Sequence, residues 1–176
     1  MNKIMAVEKI SSGSDVIDSL LAGGFETDAI SIIYGPPGSG KTNLCILTLK
    51  ELINKGKKVI YVDTEGGFSV ERLKQICPED YEKVLSHVYF LRPNTFEEQK
   101  KAFSKLNNIV NDHIGLIIVD SISMLYRLEF GKDENITTIN KELALQLSYL
   151  NDISRRKNMP VIITNHIYHS FDDKSK

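Results

Sequence analysis

The sequence predicts an α/β fold in which helices cover both faces of a mainly parallel sheet. Five apolar segments of strand length alternate with segments of helical periodicity, and strands that alternate with helices form parallel sheets. A glycine-rich loop and an aspartate each follow one of these apolar segments, at the position where open α/β sheets bind ligands. A chain of 176 residues suggests one domain with a full hydrophobic core.

The predicted strands and helices alternate regularly along the chain. The strands are predicted at residues 29–34, 58–63, 87–91, 115–120 and 161–164. Four helices are predicted at residues 15–21, 41–54, 79–85 and 121–126. Two more are predicted to begin after the N-caps Ser69 and Thr95, and a long helix is predicted from the apolar stripe between Ile136 and Ile153. Residues 3–10 alternate weakly and are considered as one further short strand.

The composition excludes several classes of protein. A formal net charge of −1 leaves no bulk electrostatic footprint of a nucleic-acid binder, so any DNA contact requires a local basic patch. Cys45 and Cys77 have neither metal-ligand nor disulfide spacing, and we expect reduced thiols in a cytoplasmic protein. No apolar run approaches the roughly 18 residues of a membrane span, so no membrane partner is expected.

The glycine-rich loop predicts a phosphate-binding site. It fits the pattern G-x-x-x-x-G-K-[ST] between a predicted strand and a predicted helix, and glycines let backbone N–H groups close around an anion at the helix N-terminus. We expect Lys41 to reach the β- and γ-phosphates of a nucleotide, and the Thr42 hydroxyl to ligate Mg²⁺. The predicted binding residues of the loop are Gly35, Pro36, Pro37, Gly38, Ser39, Gly40, Lys41 and Thr42.

Two acidic residues follow predicted strands. Asp120 comes after the apolar run 116–119 and is expected to hold Mg²⁺ through a water, which completes the metal shell begun by Thr42. Glu65, just past the strand at 58–63, is the candidate that orients the attacking water, a role worth about 10²–10⁴ in rate. The alternative interpretation of Glu65 is a turn carboxylate hydrated at the surface.

Polar and basic residues follow the last predicted strand and end the long helix. Thr164, Asn165 and His166 lie on the same side of the sheet as the acids, where a polar side chain can sense the γ-phosphate. A strand-end histidine bonded to backbone is an equally good interpretation of His166. For the basic residues 155–157, favourable cations at a helix C-terminus are preferred over a DNA-phosphate patch.

Together these motifs resemble a known superfamily. The chain is similar to the RecA superfamily over nearly its whole length, and most closely to the archaeal RadB branch of recombinase paralogs. The pair Asp-Thr-Glu-Gly at 63–66 and Glu-Arg-Leu at 71–73 is more specific than the phosphate loop. The other matching segments are residues 10–13, 17–18, 23–24, 33–43, 61–62, 120–121, 125–127 and 161–165.

The resemblance implies a particular sheet. The fold is then a RecA-type P-loop NTPase core with strand order 3-2-4-5-1, counted along the five predicted strands. Residues 1–176 are expected to form a single core that lacks the C-terminal strands of the family. The strand at 29–34 would then be an apolar edge that invites pairing with another chain, unless residues 3–10 cover it.

The resemblance also implies the composition of the site. Lys41 and Glu65 are catalytic residues of an ATP site, and Thr42 and Asp120 hold Mg²⁺. Asn43 joins the nucleotide-binding residues of the loop.

Two further site residues depend on the same resemblance. Arg72 lies near the adenine, although from the sequence alone it is more simply a solvated helix residue. The family usually has glutamine where this chain has His166, a departure at the position that couples ATP to DNA binding in recombinases.

By the same resemblance, the chain is an accessory (mediator) protein of DNA repair and homologous recombination. It is expected to bind ATP, to hydrolyse it weakly, and to bind single-stranded or branched DNA weakly. The main recombinase or other repair proteins are the expected partners, and a homodimer is a further option. The two DNA loops are expected near residues 127–141 and after Ile167, and the Phe-x-x-Ala motif that links subunits of the main recombinases does not occur in the sequence.

Two alternative functions use the same loop. A small-molecule P-loop kinase needs a lid rich in arginine, and the sequence has no arginine-rich segment. A KaiC-like signalling ATPase usually has tandem glutamates after the second strand, whereas this chain has the single Glu65 followed by glycines.

Overall fold

The computed structural model describes residues 7–130 and 136–167. In chain order the elements are β1 (Lys9–Ile10), α1 (Asp15–Leu20), β2 (Phe25–Glu26), β3 (Ile30–Gly35), α2 (Lys41–Asn54), β4 (Lys58–Asp63), α3 (Val70–Ile76), α4 (Tyr81–His87), β5 (Val88–Leu91), α5 (Phe96–Ile109), β6 (Ile114–Asp120), α6 (Met124–Phe130), α7 (Ile136–Lys157) and β7 (Val161–His166). No helix of the described segments is long and apolar enough to cross a bilayer.

Five of the strands form one parallel sheet in the order β3-β7-β6-β4-β5. The strands β3, β4, β5, β6 and β7 are the first to fifth predicted strands. Read from β5 to β3, the sheet therefore has the order 3-2-4-5-1, and the predicted topology is confirmed. The register pairs Asp63 with Asp120 and Gly35 with His166. The carboxyl ends of β3, β7, β6 and β4 therefore meet at one edge of the sheet, which is where the candidate site residues were predicted.

The sheet separates two hydrophobic layers, because successive side chains of a strand point to opposite faces. On one face, Tyr61 of β4 packs with α2, α3 and α4, and Cys45 and Leu49 of α2 are fully buried there. On the other face, Val62 packs with α5 and α7, and Phe103 of α5 is buried. Helices thus cover both faces, as the alternation of apolar segments predicts.

The edge strand β3 has a single strand neighbour, β7, within the described residues. Its side chains Ile32 and Tyr34 are 57% and 70% exposed. The idea that residues 3–10 cover this edge is wrong for the part that is described, because β1 pairs antiparallel with β2 instead. The Lys9 ammonium also donates to the Leu21 carbonyl at 2.6 Å, which holds β1 beside the end of α1.

Several predicted helix ends are confirmed by their caps. The Ser69 hydroxyl accepts from the Arg72 amide at 3.1 Å, and the Thr95 hydroxyl accepts from the Glu98 amide at 3.1 Å. The Glu98 carboxylate in turn accepts from the Asn94 amide at 2.8 Å, which completes a capping box shifted by one residue.

Other boundaries differ from the prediction. Helix α4 extends through His87, and α6 begins at Met124 rather than at residue 121. The late start of α6 accompanies two side-chain bonds to other segments, because the Ser121 hydroxyl donates to Glu65 and the Ser123 hydroxyl donates to Asn165. Both serines lie before the first residue of the helix. Residues 131–135 of the first expected DNA loop, and all of the second from residue 168 onward, lie outside the described residues.

Candidate active site

A cavity of about 440 Å³ opens at the carboxyl ends of the parallel strands. This volume lies within the range of small-molecule sites, about 300–1,000 Å³. The structure brings together in its walls nearly all the residues that the sequence predicts as a site. The lining residues are Pro37, Gly38, Ser39, Gly40, Lys41, Thr42, Asn43, Glu65, Gly67, Ser69, Arg72, Asp120 and His166.

The phosphate loop connects β3 directly to α2. Gly38 and Gly40 have φ angles of +76° and +88°, a region that side chains with a Cβ rarely adopt, and open space surrounds the position of a Cβ at both. No side chain caps the N-terminus of α2. Because the first amides of a helix have no partner within the helix, the first turn of α2 is suited to bind an anion.

Lys41 is buried in this loop, with only 7% of its surface exposed. Its ammonium donates to the carbonyls of Gly35 and Pro36 at 3.1 and 3.0 Å, and its third contact is the Nδ1 atom of His166 at 3.3 Å. An ammonium has three donors. Each donor of Lys41 therefore has an acceptor at the base of the cavity.

Asp120 is fixed by hydroxyl groups from three elements. Its Oδ2 atom accepts from Thr42 at 2.8 Å and from Tyr61 at 2.7 Å, and its Oδ1 atom accepts from Thr164. The residue is only 3% exposed, and the three donors leave the carboxylate as an acceptor with a fixed orientation. Burial raises the pKa of the Tyr61 hydroxyl well above its usual value, with Cys45 and Asp120 adding to the shift, so Tyr61 remains a donor.

The pair of Thr42 and Asp120 fits a magnesium ion. Both supply oxygen, the donor that Mg²⁺ prefers, and Mg²⁺ usually keeps several waters and takes further ligands from substrate phosphates. No group of three or more His, Cys, Asp or Glu side chains with metal-binding geometry occurs in the described part of the chain. Thr42 and Asp120 therefore suit a Mg²⁺ ion that takes its other ligands from water and phosphate.

Glu65 lies on the opposite wall of the cavity. Its Oε1 atom accepts from the Ser121 hydroxyl, and its Oε2 atom lies 2.9 Å from His166 Nε2. The turn that carries it is fixed by Asp63, whose carboxylate accepts from the amides of Gly67 and Phe68 at 3.0 and 3.4 Å. Glu65 is thus an exposed residue whose carboxylate is held by two side chains in the wall of the cavity.

The remaining predicted residues lie at the rim or away from the cavity. Arg72 is exposed on α3 and lines the cavity. Arg127, from the first expected DNA loop, donates to the His166 carbonyl at 3.1 Å. At the end of α7, Arg156 forms an ion pair with Asp152, which fits the preferred structural interpretation of that basic segment.

Tyr61 and Ser121 are site residues for which the sequence analysis proposed no role, and Thr164 was considered there only as one of three polar residues that could sense the γ-phosphate. Tyr61 and Thr164 lie within β4 and β7, Ser121 directly follows β6, and each donates a hydroxyl to a predicted acid. A tyrosine inside an otherwise aliphatic strand was the available signal, because a buried hydroxyl needs a partner. Burial also raises the pKa of Cys45, with Asp120 contributing, so this neighbour of the site is a neutral thiol.

The phosphate loop, the strand-end aspartate bonded to its threonine, and the strand order define a RecA-type ATPase core. The sequence model of the Rad51 family matches residues 3–176, and the chain belongs to this family. Proteins of the family are ATPases that bind ATP with Mg²⁺.

Its relatives include the DNA repair and recombination protein RadB of several archaea. The RadB of Methanococcus maripaludis strain C7 is 44% identical over 86% of this chain and 70% of the relative. The RadB of Methanococcoides burtonii is 37% identical over 96% of this chain and 74% of the relative. A crystal structure of the RadB recombinase superposes with a TM-score of 0.78 at 37% identity, over 94% of this chain and 74% of that one.

These comparisons confirm the resemblance to the RadB branch and decide between the three functions that the sequence left open. They favour a role in DNA repair and recombination over a KaiC-like ATPase or a small-molecule kinase.

Proposed function

We propose that this chain is an ATP-binding accessory protein of DNA repair and homologous recombination that hydrolyses ATP slowly. The observation that carries the proposal is the convergence of Lys41, Thr42, Glu65, Asp120 and His166 on one cavity of about 440 Å³. The family and the names of its RadB relatives supply the biological context.

Each residue has a role in this proposal. Lys41 binds the β- and γ-phosphates, Thr42 and Asp120 hold Mg²⁺, which neutralises phosphate charge, and Glu65 orients the attacking water. Arg72 at the rim is suited to contact the adenine. Slow turnover is part of the proposal for the accessory role, and the contacts of Glu65 leave acceptor sites for a water, since each carboxylate oxygen has one partner among the described residues.

Protein and DNA partners are part of the same proposal. A net charge of −1 supplies no bulk attraction to DNA, so the proposed contact with single-stranded or branched DNA is weak and local. The exposed edge of β3, with Ile32 and Tyr34, supports pairing with another protein chain such as the main recombinase, another repair protein or a second copy.

The first test is ATP binding by Lys41→Ala, measured by the anisotropy of a fluorescent ATP analogue with Mg²⁺. Affinity should fall by about 100-fold or more, because charge-assisted hydrogen bonds contribute about 1.5–3 kcal/mol each. Lys55→Ala is the matched control, since Lys55 is exposed at the other end of α2. Unchanged affinity in Lys41→Ala would contradict the site.

The second test is ATP turnover with and without single-stranded DNA over a series of salt concentrations. We expect slow turnover and weak DNA binding that is lost as salt rises, because phosphate contacts release counterions. Strong stimulation by DNA that fades with salt would instead indicate a recombinase-type motor, and the accessory role would then be wrong.

A further inference from the structure

One histidine connects the two catalytic candidates of the cavity. His166 Nδ1 lies 3.3 Å from Lys41 Nζ, and His166 Nε2 lies 2.9 Å from Glu65 Oε2. The His166 side chain is 13% exposed; its contact with Lys41 is partly buried, and its contact with Glu65 lies on the exposed side of the ring. The imidazole therefore bridges the ammonium of the phosphate loop and the carboxylate that faces the attacking water.

The chemistry of these partners fixes the protonation of His166 in this arrangement. An ammonium only donates, so Nδ1 must accept from Lys41 and carries no proton. A carboxylate only accepts, so Nε2 carries the proton and donates to Glu65. His166 is thus neutral here, and Nδ1 can take a proton only after Lys41 has moved away.

Phosphate binding requires such a movement. All three donors of Lys41 have acceptors, two of which are carbonyls of the loop backbone and one of which is the His166 ring. For Lys41 to donate to a phosphate, one of these bonds must be exchanged. The ring is a side-chain partner from another strand, β7, whereas the carbonyls belong to the loop that binds the phosphate, so the ring is the partner that Lys41 gives up.

We propose that nucleotide binding at this site is coupled to the uptake of one proton from solvent by His166 Nδ1. The inference rests on the nucleotide site proposed above. When Lys41 turns to the phosphates, Nδ1 loses its donor and faces an anionic ligand. A proton on Nδ1 then supplies a new donor toward the phosphates, while Nε2 keeps its bond to Glu65.

The surrounding charges support this exchange. Charged groups from several elements contact His166 or line the same cavity, and in the complex the phosphates add further negative charge. Those charged groups are Lys41 from α2, Glu65 after β4, Arg72 on α3, Asp120 at the end of β6, and Arg127 of α6, which holds the His166 carbonyl.

As the pH falls, the coupling changes nucleotide affinity and the rate of hydrolysis in opposite directions. Because the complex carries more protons than the free protein, nucleotide affinity rises as pH falls, by at most about tenfold per pH unit for one proton. The same proton makes His166 a cation beside Glu65, which weakens the carboxylate as a base. Hydrolysis is therefore slower at the pH where binding is tighter.

Calorimetry of the full chain tests the coupling directly. Mg²⁺ with a non-hydrolysable ATP analogue is titrated at one pH near 6.5 in buffers of different ionisation enthalpy, and the dependence of the observed heat on the buffer gives the protons taken up. We expect wild type to take up a substantial fraction of one proton. His166→Gln should bind the analogue with no uptake beyond that of the ligand itself, and His113→Gln, which removes an exposed histidine away from the cavity, should behave as wild type.

Equal uptake by wild type and His166→Gln would overturn the coupling while leaving the nucleotide site intact. No binding by folded wild type would overturn the site and the coupling together. Should His166→Gln not fold, the ¹⁵N shifts of the His166 ring in wild type decide the question. Nδ1 should be unprotonated without nucleotide and protonated with it, and an unchanged Nδ1 signal would contradict the proposal.

Discussion

Asp120 and Glu65 are both carboxylates near the ends of the neighbouring strands β6 and β4, and their exposure and hydrogen-bond partners differ. Asp120 is 3% exposed and accepts from three hydroxyls that belong to three elements. The Glu65 side chain is 25% exposed and accepts from one hydroxyl and from the ring of His166. Three hydroxyls hold the Asp120 carboxylate, whereas one hydroxyl and one imidazole ring hold that of Glu65.

This difference suits two different roles. A carboxylate that helps to hold a metal must keep its orientation, which redundant neutral donors provide. A carboxylate that orients a water needs an acceptor site that a water can reach, which a more exposed position with fewer donors provides. The comparison therefore predicts that changes at Glu65 affect hydrolysis, whereas changes around Asp120 affect metal binding.

The largest effect is expected for Glu65→Gln. The amide keeps the shape of the side chain and can still accept from His166, so nucleotide affinity should be preserved. Without the carboxylate, ATP hydrolysis should slow by about 10²–10⁴-fold. Single-turnover hydrolysis and equilibrium binding separate the two effects, and Glu71→Gln, an exposed residue of α3, is the matched control. Unchanged hydrolysis would mean that another group orients the water.

Asp120→Asn should act on the metal instead. The amide removes the negative charge and directs N–H donors at hydroxyls that now donate to Asp120, so both the charge and the orientation are lost. The affinity for Mg²⁺ in the presence of nucleotide should fall by about 10–100-fold.

A titration of nucleotide binding with Mg²⁺ measures the effect of Asp120→Asn. Nucleotide affinity without metal should change much less, and Asp112→Asn, whose side chain is 99% exposed, should match wild type. An equal loss with and without Mg²⁺ would contradict a metal role for Asp120.

The same contrast explains which parts of the molecule the sequence predicts. The strand order, the phosphate loop and both acids were predicted, because apolar periodicity and strand-end position are local signals. Of the three hydroxyls around Asp120, only that of Thr42 was expected near it; Tyr61 and Thr164 were not, since they are distant in the sequence and only the parallel register brings them to one carboxylate.

The pairing of β1 with β2 was missed for a related reason. Each strand has two residues, too few for any periodicity, and their hydrogen bonds join segments on either side of α1. In the same way, the bridge from Lys41 through His166 to Glu65 joins three separate segments, and residue types at strand ends do not reveal which partner each will choose.

The smallest effect is expected for Tyr61→Phe, which removes one of the three donors of Asp120 and keeps the ring. The ring packs against Phe68 and Phe90 with centroids 5.2 and 5.9 Å apart, so the hydrophobic layer should remain intact. The free energy of unfolding should fall by about 1–2 kcal/mol, the cost of a lost hydrogen bond to a charged group that keeps two others. Mg²⁺ affinity should fall by less than in Asp120→Asn.

Chemical denaturation of Tyr61→Phe beside Tyr89→Phe checks this prediction. Tyr89 is exposed and its hydroxyl accepts from Lys58, so its loss should leave stability nearly unchanged. Because burial raises the pKa of Tyr61, its hydroxyl stays protonated in alkaline solution, and the stability difference should be constant from about pH 7 to about pH 9. If Tyr61→Phe weakened Mg²⁺ binding as much as Asp120→Asn does, the three hydroxyls would not be redundant, and Asp120 would depend on Tyr61 for its orientation.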